Sequence, residues 1–168
     1  MSDNRYDIAQ ICNNGHIITS RFASRPESRK KFCDKCGAAT ITNCQNCNSP
    51  IRGYSRPIID DSGGLVMGFS LSAPPSFCPD CGKPYPWTEA KFKAAQELSD
   101  EIENLSPEER EILKKSLDDI VRDTPQTTVA VNRFKKIVAK AGPVAAEGFK
   151  KILWDIASEF AKRQIWPS

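Results

Sequence analysis

The chain has 168 residues, a formal net charge of +3, 39% apolar and 27% charged side chains, which is room for one ordinary domain or two small ones behind a normal polar surface. No apolar run approaches the ~20 residues that cross a bilayer. The stretch Met1-Ser2-Asp3-Asn4-Arg5-Tyr6 lacks a basic region followed by an apolar one, so neither a membrane span nor a signal peptide is expected, and a cytoplasmic location is.

All seven cysteines and the only histidine lie in the first half, in four short pairs: Cys12–His16, Cys33–Cys36, Cys44–Cys47 and Cys78–Cys81. An odd count with no export signal points to metal or redox work rather than disulfides. Three pairs are C-x2-C, a spacing that turns two sulfurs toward one point and supplies half of a tetrahedral site. Cys33-Asp34-Lys35-Cys36-Gly37 and Cys78-Pro79-Asp80-Cys81-Gly82 end in glycine, which lets the backbone turn tightly beneath a metal. Between the last two pairs, Pro57 to Leu71 includes Ile58, Ile59, Leu65, Val66, Met67 and Phe69. That segment reads either as two strands covering a metal site or as an interaction surface. Asp60-Asp61 precedes Ser62-Gly63-Gly64, which predicts a hairpin turn ahead of a catalytic acid pair.

Composition changes near Trp87, and we expect two domains, 1–87 and 88–168, joined at Tyr85-Pro86-Trp87. Four helical segments are predicted in the second. The first opens with Thr88 as N-cap and carries Phe92, Ala95, Leu98, Ile102 and Leu105 on one face. The second starts at Ser106-Pro107-Glu108-Glu109, with Ile112, Leu113, Leu117, Ile120 and Val121 as its stripe. The third repeats the signal at Thr124-Pro125 and carries Ala130, Phe134, Ile137, Val138 and Ala141. Gly142-Pro143 separates it from the fourth, with Ala145, Phe149, Ile152, Leu153, Ile156 and Phe160. Trp166 is either a core plug or an exposed anchor. Such short connections favour a small helical bundle, so the predicted fold class is α+β: two tandem zinc ribbons followed by a helical bundle. Residues 88–123 carry 6 basic and 11 acidic side chains, and 124–168 carry 8 and 3, as expected if acidic and basic helices pack together or if one sign faces a partner.

Eight ligands divide into two complete sites. Taken in chain order, Cys12, His16, Cys33 and Cys36 form the first, with 16 residues between its halves. Cys44, Cys47, Cys78 and Cys81 form the second, with 30 between, implying an extended hairpin. Sequential ribbons are favoured over a cross-braced arrangement because both glycine-ended knuckles then come second in their ribbons. His16 is the sole nitrogen candidate; without it, Asp34 or water would have to complete the first site. Four-ligand zinc sites leave no coordination position for substrate, so two structural Zn²⁺ ions are expected. Comparable sites contribute ~10–16 kcal/mol to folding.

Tyr6-Asp7-Ile8-Ala9-Gln10-Ile11-Cys12, Asn14-Gly15-His16, Phe32-Cys33 with Cys36-Gly37, and Cys44 with Cys47 are accompanied by Pro50-Ile51-Arg52-Gly53-Tyr54 and Cys81-Gly82-Lys83-Pro84-Tyr85-Pro86-Trp87-Thr88. In these residues the chain resembles a bacterial family of uncharacterised double-zinc-ribbon proteins, closely over the first half and in outline over the helical tail. The resemblance implies the ligand pairing and a bacterial origin, and no activity.

Enzymatic activity is not expected, because the histidine and every cysteine are assigned to metal, and no nucleophile elbow, phosphate loop or zinc-protease motif occurs. The leading expectation is a protein-binding adaptor held together by structural zinc, whose helical tail serves partner or self association. The alternative is nucleic-acid binding through Arg21, Arg25, Arg29, Lys30, Lys31 and Lys35, with Arg52 and Arg56 flanking Tyr54. Against it, residues 1–87 hold ten basic and seven acidic side chains, and seven thiolates on two dications bring that balance to zero. No small-molecule substrate is evident.

Overall fold

Backbone pairing in the cysteine-rich half is built from strands of two to four residues, held in place by turns and buried polar side chains. The computed structural model describes residues 5–167. The fold is α+β, with small antiparallel sheets followed by five helices. The chain divides into two units, Met1–Thr88 and Glu89–Ser168.

In the first unit, β2 (Gln10–Cys12) is the centre of a three-stranded sheet, flanked by β3 (Ile17–Thr19) and β4 (Thr40–Ile41). β1 (Tyr6–Ile8) pairs with β5 (Arg52–Ser55), with Tyr6 opposite Ser55 and Ile8 opposite Arg52 across an irregular register. β6 (Ile58–Ile59) and β7 (Leu65–Val66) pair antiparallel, and a Ser55–Phe69 bridge continues their register back to the end of β5. The long interval between Cys47 and Cys78 thus holds the expected extended hairpin, running from Ser55 to Phe69 through β6 and β7 in one register. Its first strand, β5, also pairs with β1 at the start of the chain.

Two buried polar side chains tie this unit together. The Asp7 carboxylate accepts from the backbone N–H of Ile8 (2.6 Å), Ala23 (2.9 Å) and Ser24 (3.3 Å) and from the Ser24 hydroxyl. The Gln10 amide donates to the Lys30 carbonyl (2.7 Å) and the Thr40 hydroxyl (2.8 Å), and accepts from the Lys30 N–H (3.1 Å). The apolar core is small: Ala9, Ile11, Ile51, Tyr85 and Trp87 with Cys44 and Cys78, bordered by Ile17, Ile41, Leu71 and Cys81. Tyr85 and Trp87 stack at 4.7 Å between ring centroids, and the indole N–H donates to the Pro75 carbonyl at 2.8 Å.

The helices are α1 (Pro86–Asp100), α2 (Pro107–Val121), α3 (Thr127–Ala141), α4 (Pro143–Leu153) and α5 (Glu159–Ile165). Several sequence expectations need correction. Thr88 does not cap α1: Pro86 already occupies a helical position, and the Thr88 hydroxyl donates to the Ser76 carbonyl at 2.8 Å. Ile102 and Leu105 are buried, but in the connection beyond α1. The fourth segment is two helices, because Ser158 accepts from the Ala161 N–H and starts a new one. Ser158-Glu159 is itself an N-cap followed by an acid, a start signal the apolar periodicity had masked.

α2 begins with a reciprocal capping box: the Glu109 N–H donates to the Ser106 hydroxyl (3.2 Å), and the Ser106 N–H donates to the Glu109 carboxylate (2.9 Å). Leu113, Leu117, Ile120, Phe134, Phe149, Leu153 and Ile156 form the core. Phe134 meets Phe149 edge to face at 5.3 Å and Trp166 at 6.2 Å, so Trp166 packs on the core. Ile112 and Phe160, expected on core stripes, are exposed. Lys140 of the basic half reaches Glu109 of the acidic half at 2.7 Å. No helix among the described residues is long and apolar enough to cross a membrane.

Candidate metal centres

Three knuckles share one backbone design. In each, the first cysteine's N–H donates to a carbonyl five residues on, and its own carbonyl accepts an N–H four residues on. These pairs are Cys33 to Ala38 with Gly37 to Cys33, Cys44 to Ser49 with Asn48 to Cys44, and Cys78 to Lys83 with Gly82 to Cys78, all at 2.8 or 2.9 Å. The residue after the second cysteine must then be left-handed: Gly37 and Gly82 have φ 71° and Asn48 has φ 62°. Asn48 is the cap that a search for glycine overlooks, and asparagine is the residue besides glycine that tolerates this region best. The fourth clip is a tighter loop, in which Cys12 N–H donates to the His16 carbonyl (3.0 Å) and Gly15 N–H to the Cys12 carbonyl (2.8 Å).

These clips bring the eight side chains into two groups, Cys12, His16, Cys33 and Cys36, and Cys44, Cys47, Cys78 and Cys81, with the donor atoms of each group within 4.8 Å of one another. The His16 Nδ1 lies 3.5 Å from the sulfurs of Cys12 and Cys33. Cys12 and Cys36 sulfurs are 3.7 Å apart, Cys44 and Cys81 3.8 Å, and Cys47 and Cys78 3.7 Å. All seven cysteines are free, and none of these separations is a disulfide. Four donors about 2.3 Å from a common centre in a tetrahedron would stand about 3.8 Å apart. Both groups are thus able to hold a metal ion in a closed tetrahedral site.

Electrostatics within the groups fits that reading. The Ala38 N–H and the Asn14 amide, which donates to the sulfur at 3.4 Å, lower Cys36 to about 6. The Ser49 hydroxyl and N–H lower Cys47 to about 6. The Cys47 N–H also draws Cys44 down, but burial and the sulfurs of Cys78 and Cys81 raise it to about 11. Thiols so crowded do not all ionise unaided, and a divalent cation at the centre reverses that. Cys36 and Cys47 are exposed, whereas Cys12, Cys33, Cys44 and Cys78 are buried.

The remaining sequence candidates fall elsewhere. Asp60 accepts from the Ser62 N–H (2.9 Å), the Ser62 hydroxyl (2.6 Å) and the Gly64 N–H (2.8 Å), so its carboxylate serves the β6–β7 turn. Arg21 lies over the Tyr54 ring at 3.7 Å, a meeting of the two basic clusters that sequence spacing did not reveal.

A family model described as an uncharacterized protein conserved in bacteria (DUF2321) matches residues 5–165. The chain belongs to this family. The match spans both the cysteine-rich half and the helices. No curated protein and no solved structure matches the chain.

Proposed function

We propose that the first unit is a structural zinc module that presents an apolar hairpin to a protein partner and catalyses no reaction. Three thiolates with one imidazole, and four thiolates, are donor sets suited to Zn²⁺. Each set is complete without solvent, so the ions serve as cross-links for a unit whose own apolar core is only a handful of side chains. In this reading His16 and the seven cysteines serve as ligands, and the Asp60 carboxylate serves its turn. Free thiols in such number suit a reducing cytoplasm.

The observation that carries the partner reading is the β6–β7 hairpin. Ile59, Leu65, Met67 and Phe69 are 74%, 67%, 60% and 65% exposed, and among the described residues β6 and β7 pair only with each other. A hairpin with large apolar side chains facing solvent is suited to receive an extended segment of another protein. The test is recovery of the tagged full-length chain from its own cell, beside the variant Ile59→Glu/Leu65→Glu. A stable co-purifying protein, lost with the variant while its zinc content is kept, supports the reading. A chain recovered alone, or a partner retained equally by the variant, contradicts it. The helical unit is proposed to add to partner or self association.

A further inference from the structure

The two basic segments that lie some thirty positions apart in sequence meet on one face of the first unit. The Tyr54 N–H donates to the Ser20 carbonyl (2.7 Å) and the Phe22 N–H to the Ile8 carbonyl (2.9 Å), which lays residues 20–22 beside the β1–β5 ladder. Arg21 then stacks on Tyr54 with its guanidinium carbon 3.7 Å from the ring centre. Arg29 lies over Phe22 at 4.3 Å, fixed by its Nε–H donating to the Phe22 carbonyl at 2.8 Å. Arg52 and Arg5 lie over Tyr6 at 5.2 and 5.6 Å. The result is a set of guanidinium–aromatic contacts on adjoining segments, with Arg52 and Tyr54 on the same side of β5.

Few acidic side chains lie in these segments. Residues 5–56 contain nine basic side chains and three acidic ones, Asp7, Glu27 and Asp34. Asp7 is buried and spends its carboxylate on Ala23 and Ser24, and Asp34 pairs with Lys30 at 2.7 Å. Arg21, Arg29 and Arg52 form no ion pair among the described residues. The zero balance of the zinc-loaded half thus averages over an uneven surface: Asp60, Asp61 and Asp80 lie further along the chain.

We propose that this face binds single-stranded nucleic acid. The guanidinium charges of Arg21, Arg29 and Arg52 complement phosphates, and an arginine already placed over a tyrosine ring is held where a base can stack beside it. Stacking also removes part of the rotamer freedom that binding would otherwise cost. A duplex hides its base faces and a sulfated polysaccharide has none, so both engage the charges alone.

The test uses the zinc-loaded full chain and labelled single strands of about 16 nucleotides, RNA and DNA in separate arms, with a duplex and heparin as comparisons. Single strands of at least one kind are expected to bind at about 50 mM salt and to weaken about tenfold or more by about 200 mM. Arg21→Ala/Arg52→Ala is expected to lose about tenfold or more in affinity and to flatten the salt dependence. Arg21→Lys/Arg52→Lys keeps the charges, so it should retain the salt slope while losing affinity. This second variant carries the test if the first loses zinc. The proposal is overturned by no single-strand binding at about 50 mM salt, by heparin or duplex binding as tightly as the single strands, or by either variant binding like the wild type.

Discussion

Gly15 lies so close to Trp87 that a Cβ added at position 15 would stand 3.0 Å from the tryptophan's own Cβ. Gly15 forms the tight loop between Cys12 and His16, and Trp87 packs in the core with Cys44, Cys78 and Cys81. The turn of one ligand group therefore rests on a side chain that also covers the other. Gly15 has φ 88°, so Gly15→Ala adds backbone strain to the steric conflict. We expect a loss of about 1–3 kcal/mol in denaturant unfolding of the metal-loaded chain. Trp87→Ala should cost about 3–5 kcal/mol and loosen both groups. Unchanged stability in either variant would remove this coupling.

Asp7 makes a pH prediction with a definite sign. Burial raises the carboxyl, but the Ser24 hydroxyl and the N–H groups of Ala23, Ile8 and Ser24 outweigh it and hold the folded group below its ordinary value. A depressed carboxyl stabilises above its unfolded pKa and loses that contribution as pH falls through the folded one. Asp7→Asn should therefore be less stable than wild type by about 1–3 kcal/mol at pH 7. The gap should stay level between about pH 5 and 8, closing only below about pH 4. Paired denaturant titrations across that range measure it, and a gap that already closes near pH 6 contradicts the account.

The cap of α2 is local to the helical unit. Ser106→Ala removes the hydroxyl that receives the Glu109 N–H and should cost about 1 kcal/mol. Zinc content should not change. A loss of bound metal in this variant would show that the cap does more than start a helix.

How far the sequence could be read depended on how local each signal is. The four ligand pairs and the Ser106-Pro107 start depend on neighbours a few residues away, and the structure puts each where its spacing implies. The pairing of β1 with β5 and the seating of Arg21 on Tyr54 depend on contacts between distant segments, for which two- to four-residue strands leave no periodic trace. Pro86 opens a helix whose start the capping pattern places at Thr88, because that pattern says nothing about the Ser76 carbonyl that claims the threonine's hydroxyl. Asn48 was missed for a simpler reason: glycine is the usual residue at a left-handed cap, and asparagine is its less conspicuous substitute. Asn48→Gly should accordingly leave zinc content and stability nearly unchanged, whereas Asn48→Val should cost about 1–2 kcal/mol in thermal unfolding.

Chelation separates the two sources of stability. With EDTA in excess, the strands and core of the first unit should be lost, while helical circular dichroism from residues 107–165 persists. Because thiolate ligands must be deprotonated, acid should release the metal as well, and stability of the first unit should fall with pH before that of the helices.

The most direct measurement is the metal content of freshly isolated protein by elemental analysis. Two zinc atoms per chain, falling to one when Cys33 and Cys36 are replaced by serine and to one when Cys78 and Cys81 are, is the expected result. Zinc well below two atoms per intact chain, or another metal in its place, contradicts the claim that filled tetrahedral sites hold the first unit together.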